Sequence, residues 1–172
     1  MSLTLILGGA RSGKSKFAQK LCENKEAVVL IATALPLDNE MEERIKRHRA
    51  ERPSQWKTVE EPEDIFNAIR DSSYADYIIV DCLTMWVSNL LEKYTDEEVA
   101  RIAEEISSYS KGLKSEVIVI SNEVGLGIVP EYPLGRRYRD LLGRVNQIFA
   151  GNANKVLFMI AGIPMEVKNE SK

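Results

Sequence analysis

The sequence is poor in the residues that build metal centres and covalent cross-links. Its 172 residues include two cysteines and one histidine. Cys22 and Cys82 form neither metal-ligand spacing nor a disulfide framework, and they read as small buried or half-buried residues. A lone His48 cannot make a His-rich metal site. No uninterrupted apolar stretch approaches the roughly 20 residues that a bilayer span needs. The amino-terminal end has no basic stretch, and its apolar run is too short for a signal peptide, so the cytoplasm is the expected location. Positive charge is not in excess either. The formal net charge is −3 and the pI about 5.4, which excludes a polyanion binder and any nucleic-acid partner for the chain as a whole. Any basic site must be local. No internal repeat, low-complexity tract or interdomain linker interrupts the chain. Residues 1–172 are expected to make a single domain, long enough to bury a sheet between helices.

Residues 1–172 are expected to be a single nucleotide-binding domain, because Gly8-Gly9-Ala10-Arg11-Ser12-Gly13-Lys14-Ser15 fits the phosphate-loop pattern G-x-x-x-x-G-K-[ST] without a gap. Leu3–Leu7 before it reads as a buried strand. Lys16–Cys22 after it reads as a helix with Phe17, Ala18 and Leu21 on one face. Strand, glycine loop and helix are the context the motif needs. The glycines let the backbone wrap phosphates, and loop N–H groups and the helix start point at the anion. Lys14 is expected to reach the β- and γ-phosphates and the Ser15 hydroxyl to bind Mg²⁺.

Apolar runs and helical spacing alternate along the rest of the chain. Strands are predicted at Ala27–Ala32, Trp56–Glu60 (a short edge), Tyr77–Asp81, Glu116–Ser121, Lys155–Ala161 and Ile163–Lys168 (a second short edge). Helices are predicted at about Glu40–Glu51, Glu63–Asp71, Leu83–Leu91, Asp96–Leu113 and Gly135–Ala150. Asp38 or Asn39 caps the first of these, its early turns acidic and its later ones basic, as the helix dipole favours; Pro53 stops it. This alternation predicts an α/β fold with a mostly parallel central sheet covered on both faces. Trp56 and Trp86 read as core.

Four further features bear on chemistry. Asp81 ends an apolar strand, where phosphate-loop proteins place an acid near Mg²⁺; capping the helix that follows would explain it too. His48 lies four residues after Arg44, with Arg47, Arg49 and Arg52 around it. Neighbouring cations disfavour imidazolium, and neutral imidazole can attack phosphorus, although the segment alone also fits a solvated helix face. Asn122–Leu134 is a long loop after a strand, where ligands sit in open α/β sheets. Its Val124, Leu126, Ile128 and Val129 argue against plain disorder. Arg136, Arg137, Arg139 and Arg144 read mostly as a solvated face. On these residues alone, a simple small-molecule kinase and a nucleotide switch stay open beside a nucleotidyltransferase.

Nearly end to end, the sequence resembles the bifunctional adenosylcobinamide kinase / adenosylcobinamide-phosphate guanylyltransferase family. The resemblance is carried by Gly8–Ser15, Ile31–Ala34, Asp38–Met41, Arg44–His48, Arg52-Pro53, Trp56, Asp81–Thr84, Val87–Leu91, Ser121–Pro130, Gly143–Gln147 and Ala161–Pro164. The His48 segment and Asn122–Pro130 are its most specific parts. The resemblance implies a P-loop fold of the RecA-like kind, and two reactions. ATP or GTP phosphorylates adenosylcobinamide. GTP then guanylylates His48 with loss of pyrophosphate, and the GMP passes to adenosylcobinamide phosphate. Nucleotide contacts are implied at Gly8, Gly9, Ala10, Arg11, Ser12, Gly13, Lys14, Ser15, Ala32, Thr33, Ala34, Arg49, Ala50, Glu51, Arg52, Glu60 and Asp81. Lys14 and His48 are the implied catalytic residues, and Ser15 and Asp81 the Mg²⁺ residues. The resemblance also implies a corrinoid substrate and a homo-oligomer, often a trimer.

Overall fold

A computed structural model describes residues 2–36, 38–50 and 52–170, leaving out the side chains of residues 40, 41, 44 and 48. In chain order its elements are β1 (Leu3–Gly8), α1 (Lys14–Leu21), β2 (Val28–Ala32), α2 (Asn39–Ala50), β3 (Lys57–Glu60), α3 (Ile65–Asp71) and β4 (Tyr77–Asp81). They continue with α4 (Leu83–Leu90), α5 (Asp96–Gly112), β5 (Glu116–Ile120), α6 (Pro133–Asn152), β6 (Lys155–Ile160) and β7 (Ile163–Asn169). The strands form one seven-stranded sheet in the order β3-β2-β4-β5-β1-β6-β7. All pairings are parallel except β6 with β7. The two expected edge strands, β3 and β7, are the edges.

Successive strand residues point to opposite faces, so strands buried on both sides must be apolar throughout. On one face Leu3, Leu5, Ile31, Val80 and Val119 pack with Trp86, Ile106, Leu142 and Phe149 from the helices. On the other, Ile6, Leu30, Ile79, Ile118 and Met159 pack with Ala18 of α1 and with Trp56. Both tryptophans are buried, as expected of core.

Three helix starts lie two residues from the sequence reading, each for a local reason. Helix α1 starts at Lys14, two residues before the expected Lys16, because Gly13 at its N-cap turns left-handed (φ 92°) and its carbonyl takes the Phe17 N–H at 2.9 Å. Helix α3 starts at Ile65 rather than Glu63. The Glu61 carboxylate accepts the Glu63 and Asp64 N–H groups at 2.9 Å each, and Asp64 caps through Asn67 N–H at 3.2 Å. Helix α6 starts at Pro133, not Gly135; proline is welcome in a first turn, where its missing N–H has no intrahelical partner to lose.

Arg137 is an exception to the reading of the α6 arginines as mostly a solvated face. Its Nε donates to Asp96 Oδ1 at 2.8 Å, and its Nη1 and Nη2 donate to the carbonyls of Leu91 and Tyr94 at 2.7 and 2.9 Å. One guanidinium thereby fastens α6 to the turn between α4 and α5. Arg144, by contrast, reaches only Glu97 across 3.4 Å with both side chains at least half exposed. Arg137→Ala is expected to destabilise the chain by about 1–2 kcal/mol in urea unfolding, and Arg144→Ala by less than about 0.5 kcal/mol.

Candidate functional site

The carboxyl ends of β1, β2, β4 and β5 open onto one cavity of about 630 Å³. Its floor is the turn from β1 into α1. The Gly8 and Gly13 backbones, at φ 150° and 92°, suit glycine alone. A Cβ on Gly8 would lie 2.7 Å from the Met159 carbonyl, and one on Gly13 would lie 3.3 Å from the Gly162 Cα. The turn between β6 and β7 braces this loop, with Gly162 N–H donating to the Ser12 carbonyl at 3.0 Å. Lys14 is buried, and its Nζ donates to the carbonyls of Gly8 and Gly9 at 3.0 and 2.6 Å. The ammonium therefore sits over the loop's concave side.

Helix α2 and the turn after it form the facing wall. Ile45, Lys46 and Arg49 of α2 border the cavity together with Glu42, at the i, i+3, i+4 and i+7 spacing of one helical face. Glu42 pairs with Lys46 at 2.7 Å, and Arg49 pairs with Glu60 at the end of β3. Arg52 leaves the helix and reaches the cavity half-buried. Its Nη1 is buried without a hydrogen-bond partner among the described residues. Burial draws its pKa below the usual value, the Asp81 carboxylate opposes that shift, and Arg49 adds to it. A buried guanidinium nitrogen without an acceptor is costly, and an anion in the cavity would supply one.

The third side comes from β4. Asp81 and Cys82 border the cavity across a cis peptide bond. Cys82, not Asp81, stands at the N-cap of α4, so Asp81 faces the cavity without serving as that cap. Burial, and next the Asp81 charge, push the Cys82 thiol up to about 11, which leaves it a neutral thiol rather than a nucleophile. The Thr84 hydroxyl accepts the Asn122 N–H at 2.8 Å, and Asn146 Nδ2 donates to the Asn122 carbonyl at 3.0 Å. Both backbone groups of Asn122 are thus held where the long loop leaves β5. Beyond it Leu126 and Ile128 are 81% and 96% exposed.

Residues 4–167 match the family described as cobinamide kinase / cobinamide phosphate guanyltransferase. The chain belongs to that family. Its relatives include the bifunctional adenosylcobalamin biosynthesis protein CobP of Pseudomonas aeruginosa, 44% identical over 168 residues, covering 96% of this chain and 97% of that one. The corresponding CobU of Escherichia coli is 38% identical over 180 residues, covering 96% and 99%. Among solved structures, a protein of Pyrococcus horikoshii OT3 overlays with a TM-score of 0.62 at 8% identity, covering 99% of this chain and 88% of that one. An ATPase of a bacterial type III secretion system overlays at 0.55 and 11% identity, covering 96% and 56%. Likeness at such identity speaks to the fold, which is the P-loop NTPase sheet of the RecA-like kind.

Within this family member, the cavity gathers Ala10, Arg11, Ser12, Gly13, Lys14, Ser15, Ala32, Ala34, Arg49, Arg52, Glu60 and Asp81 from the residues expected at the nucleotide. Gly8 and Gly9 shape the loop without bordering the cavity, and Ala50 is exposed on α2. Thr33 is fully buried and does not border it. Glu51 lies outside the described residues. His48 belongs to α2 immediately before Arg49, and its side chain lies outside the described residues. Sequence reasoning did not name Ile45, Lys46, Thr84 or Met85 as site residues, whereas Asn122 borders the cavity as the first residue of the loop expected on the ligand side. The 42-45-46-49 spacing was the available signal for the first two; Thr84 and Met85 are neighbours only in space.

Lys14→Ala should weaken nucleoside triphosphate binding at least about tenfold. Calorimetric titration of a variant with a normal melting curve checks this, and an unchanged affinity would refute the phosphate-loop assignment.

Proposed function

We propose that this chain, as a single domain, phosphorylates adenosylcobinamide with a nucleoside triphosphate and then makes adenosylcobinamide-GDP by transferring GMP from GTP through His48. The observation that carries the reading is one cavity shared by the phosphate loop and by α2, the helix that holds the only histidine. A phosphate loop alone would serve a simple kinase. The family match over residues 4–167 supports the second activity as well.

In the first reaction the hydroxyl oxygen of adenosylcobinamide attacks the γ-phosphorus, the bridge to the β-phosphate breaks, and the hydroxyl proton is lost. Lys14, now over the carbonyls of Gly8 and Gly9, would instead meet the β- and γ-phosphates. Ser15 and Asp81 would hold Mg²⁺; a hydroxyl and a carboxylate suit that hard cation, and both border the cavity. The described residues hold no group of three or more His, Cys, Asp or Glu, which accords with a metal that takes its other ligands from phosphate and water. When bound, Mg²⁺ neutralises charge on the phosphates.

In the second reaction a His48 ring nitrogen attacks the α-phosphorus of GTP. A P–N bond forms, the α–β bridge breaks, and pyrophosphate leaves. A phosphate oxygen of adenosylcobinamide phosphate then attacks the same phosphorus, and the P–N bond breaks. Arg49 and Arg52 supply fixed positive charge for the phosphates being displaced, and Arg52 Nη1, unpartnered among the described residues, is suited to donate to a phosphate oxygen. The exposed apolar loop from Asn122 to Tyr132 would lie against the corrinoid. Assembly as a homo-oligomer, often trimeric in the family this chain resembles, and a cytoplasmic site of action belong to the same proposal. No helix among the described residues is long and apolar enough to cross a membrane.

His48→Ala is expected to abolish labelling of the protein by α-labelled GTP and to abolish guanylyl transfer, while part of the kinase activity survives. The wild-type label should be acid-labile and alkali-stable, as a phosphoramidate is; label on His48→Ala, or on a lysine of the wild type, would defeat the assignment. Replacing Leu126 and Ile128 by Ser should raise the corrinoid KM at least about threefold with little change in melting, since both side chains already face solvent. Unchanged kinetics with every corrinoid substrate would remove the loop from the site.

A further inference from the structure

We infer that Thr33 is a positioning residue whose hydroxyl sets the turn after β4 and so aims Asp81 into the cavity. The inference rests on reading Asp81 as the metal-side carboxylate of the nucleotide site.

The last register pair between β2 and β4 is Ala32 with Asp81. Beyond that pair Thr33 N–H still donates to the Asp81 carbonyl at 3.1 Å, and there the backbone ladder stops. Cys82, the next residue, has an N–H and a carbonyl to satisfy. The Thr33 hydroxyl serves both: it accepts from Cys82 N–H at 2.8 Å and donates to the Cys82 carbonyl at 2.7 Å. A hydroxyl has one proton to give and lone pairs to receive, so a single side chain extends the sheet by a residue. The β-branch restricts the torsion that aims it.

Thr33 is itself fastened. Asn89 Nδ2 donates to the Thr33 carbonyl and to the Pro62 carbonyl, both at 2.9 Å. Asn89 belongs to α4, the helix that begins just after Cys82. A closed circuit therefore runs from the end of β2 to Cys82, along α4 and back to Thr33. Thr33 is fully buried and does not border the cavity, whereas Asp81 and Cys82 both do. Its effect on a bound nucleotide must pass through the peptide that carries the Asp81 carboxylate.

The test compares GTP affinity by calorimetry on the full chain, with Mg²⁺ and with Mg²⁺ chelated. Thr33→Val keeps the shape and removes the hydroxyl. It should weaken binding in Mg²⁺ about tenfold while changing the metal-free affinity by less than about twofold. Thr33→Ser keeps the hydroxyl and should stay within about twofold of wild type in both conditions. Asp81→Asn, measured alongside, should lose the same Mg²⁺-dependent gain, and the double variant should lose little more than either single one. A Thr33→Val protein that keeps the full gain, or that loses affinity equally with and without metal, overturns the inference. If Asp81→Asn keeps the gain, the reading of Asp81 fails; if only Thr33→Val keeps it, the Thr33 inference fails alone. Should Thr33→Val not fold, Asn89→Ala unfastens Thr33 from outside. It should lower the Mg²⁺ affinity about threefold with the metal-free value unchanged, and no loss there overturns the inference equally.

Discussion

Parallel register is the constraint on which the site depends. Ala32, Asp81 and Ile120 stand side by side in three neighbouring strands, and β1 pairs Ile6 with Ile120 before running on to Gly8. Hydrogen bonds along those ladders fix where each strand stops, and the phosphate loop, Glu60, Asp81 and Asn122 are each reached at or within a few residues of a stop. Slipping one strand by a residue would turn its apolar side chains from one face to the other. Both cores would then have to repack, so the burial that stabilises the sheet also helps to fix the placement of the phosphate loop, Asp81 and Asn122.

The cavity reverses the charge of the molecule around it. The chain carries a net −3, yet Arg11, Lys14, Lys16, Lys46, Arg49 and Arg52 border the cavity against Glu42, Glu60 and Asp81. Much of that positive charge is already engaged, Lys14 by loop carbonyls, Lys46 by Glu42 and Arg49 by Glu60. Arg52 is different, because one nitrogen of this half-buried side chain is itself buried and has no acceptor among the described residues. Exposed pairs such as Arg49 with Glu60 contribute little to stability and can be exchanged for phosphate at small cost.

What could be read from the sequence was what is local in it. The phosphate loop, the buried runs Tyr77–Asp81 and Glu116–Ile120, and the edge character of β3 and β7 depend on neighbours in the chain, and they stand where periodicity put them. Helix starts were less legible, because Asp64 and Glu61 act through a pair of hydrogen bonds each and Pro133 through the absence of one. The roles of Thr33 and Arg137 were not legible at all. Thr33 meets Cys82 and Arg137 meets Leu91, Tyr94 and Asp96 only after the sheet and helices have assembled. Family resemblance listed Thr33 among the nucleotide contacts; the bonds of its hydroxyl to the neighbouring strand end were not part of that reading.

The bracing of the phosphate loop by Gly162 has a consequence for the order in which the molecule is made. Strand β1 emerges from the ribosome before both of its neighbours, since Leu3 pairs with Val117 and Thr4 with Lys155. The turn that supports Ser12 comes later still. A growing chain therefore carries its glycine loop with neither flanking strand in place until β5 has been made. Contacts of such long sequence separation form late and slowly. A complete nucleotide cradle has to wait for β5, β6 and the turn at Gly162, so nucleotide binding would report that the sheet has closed around its first strand.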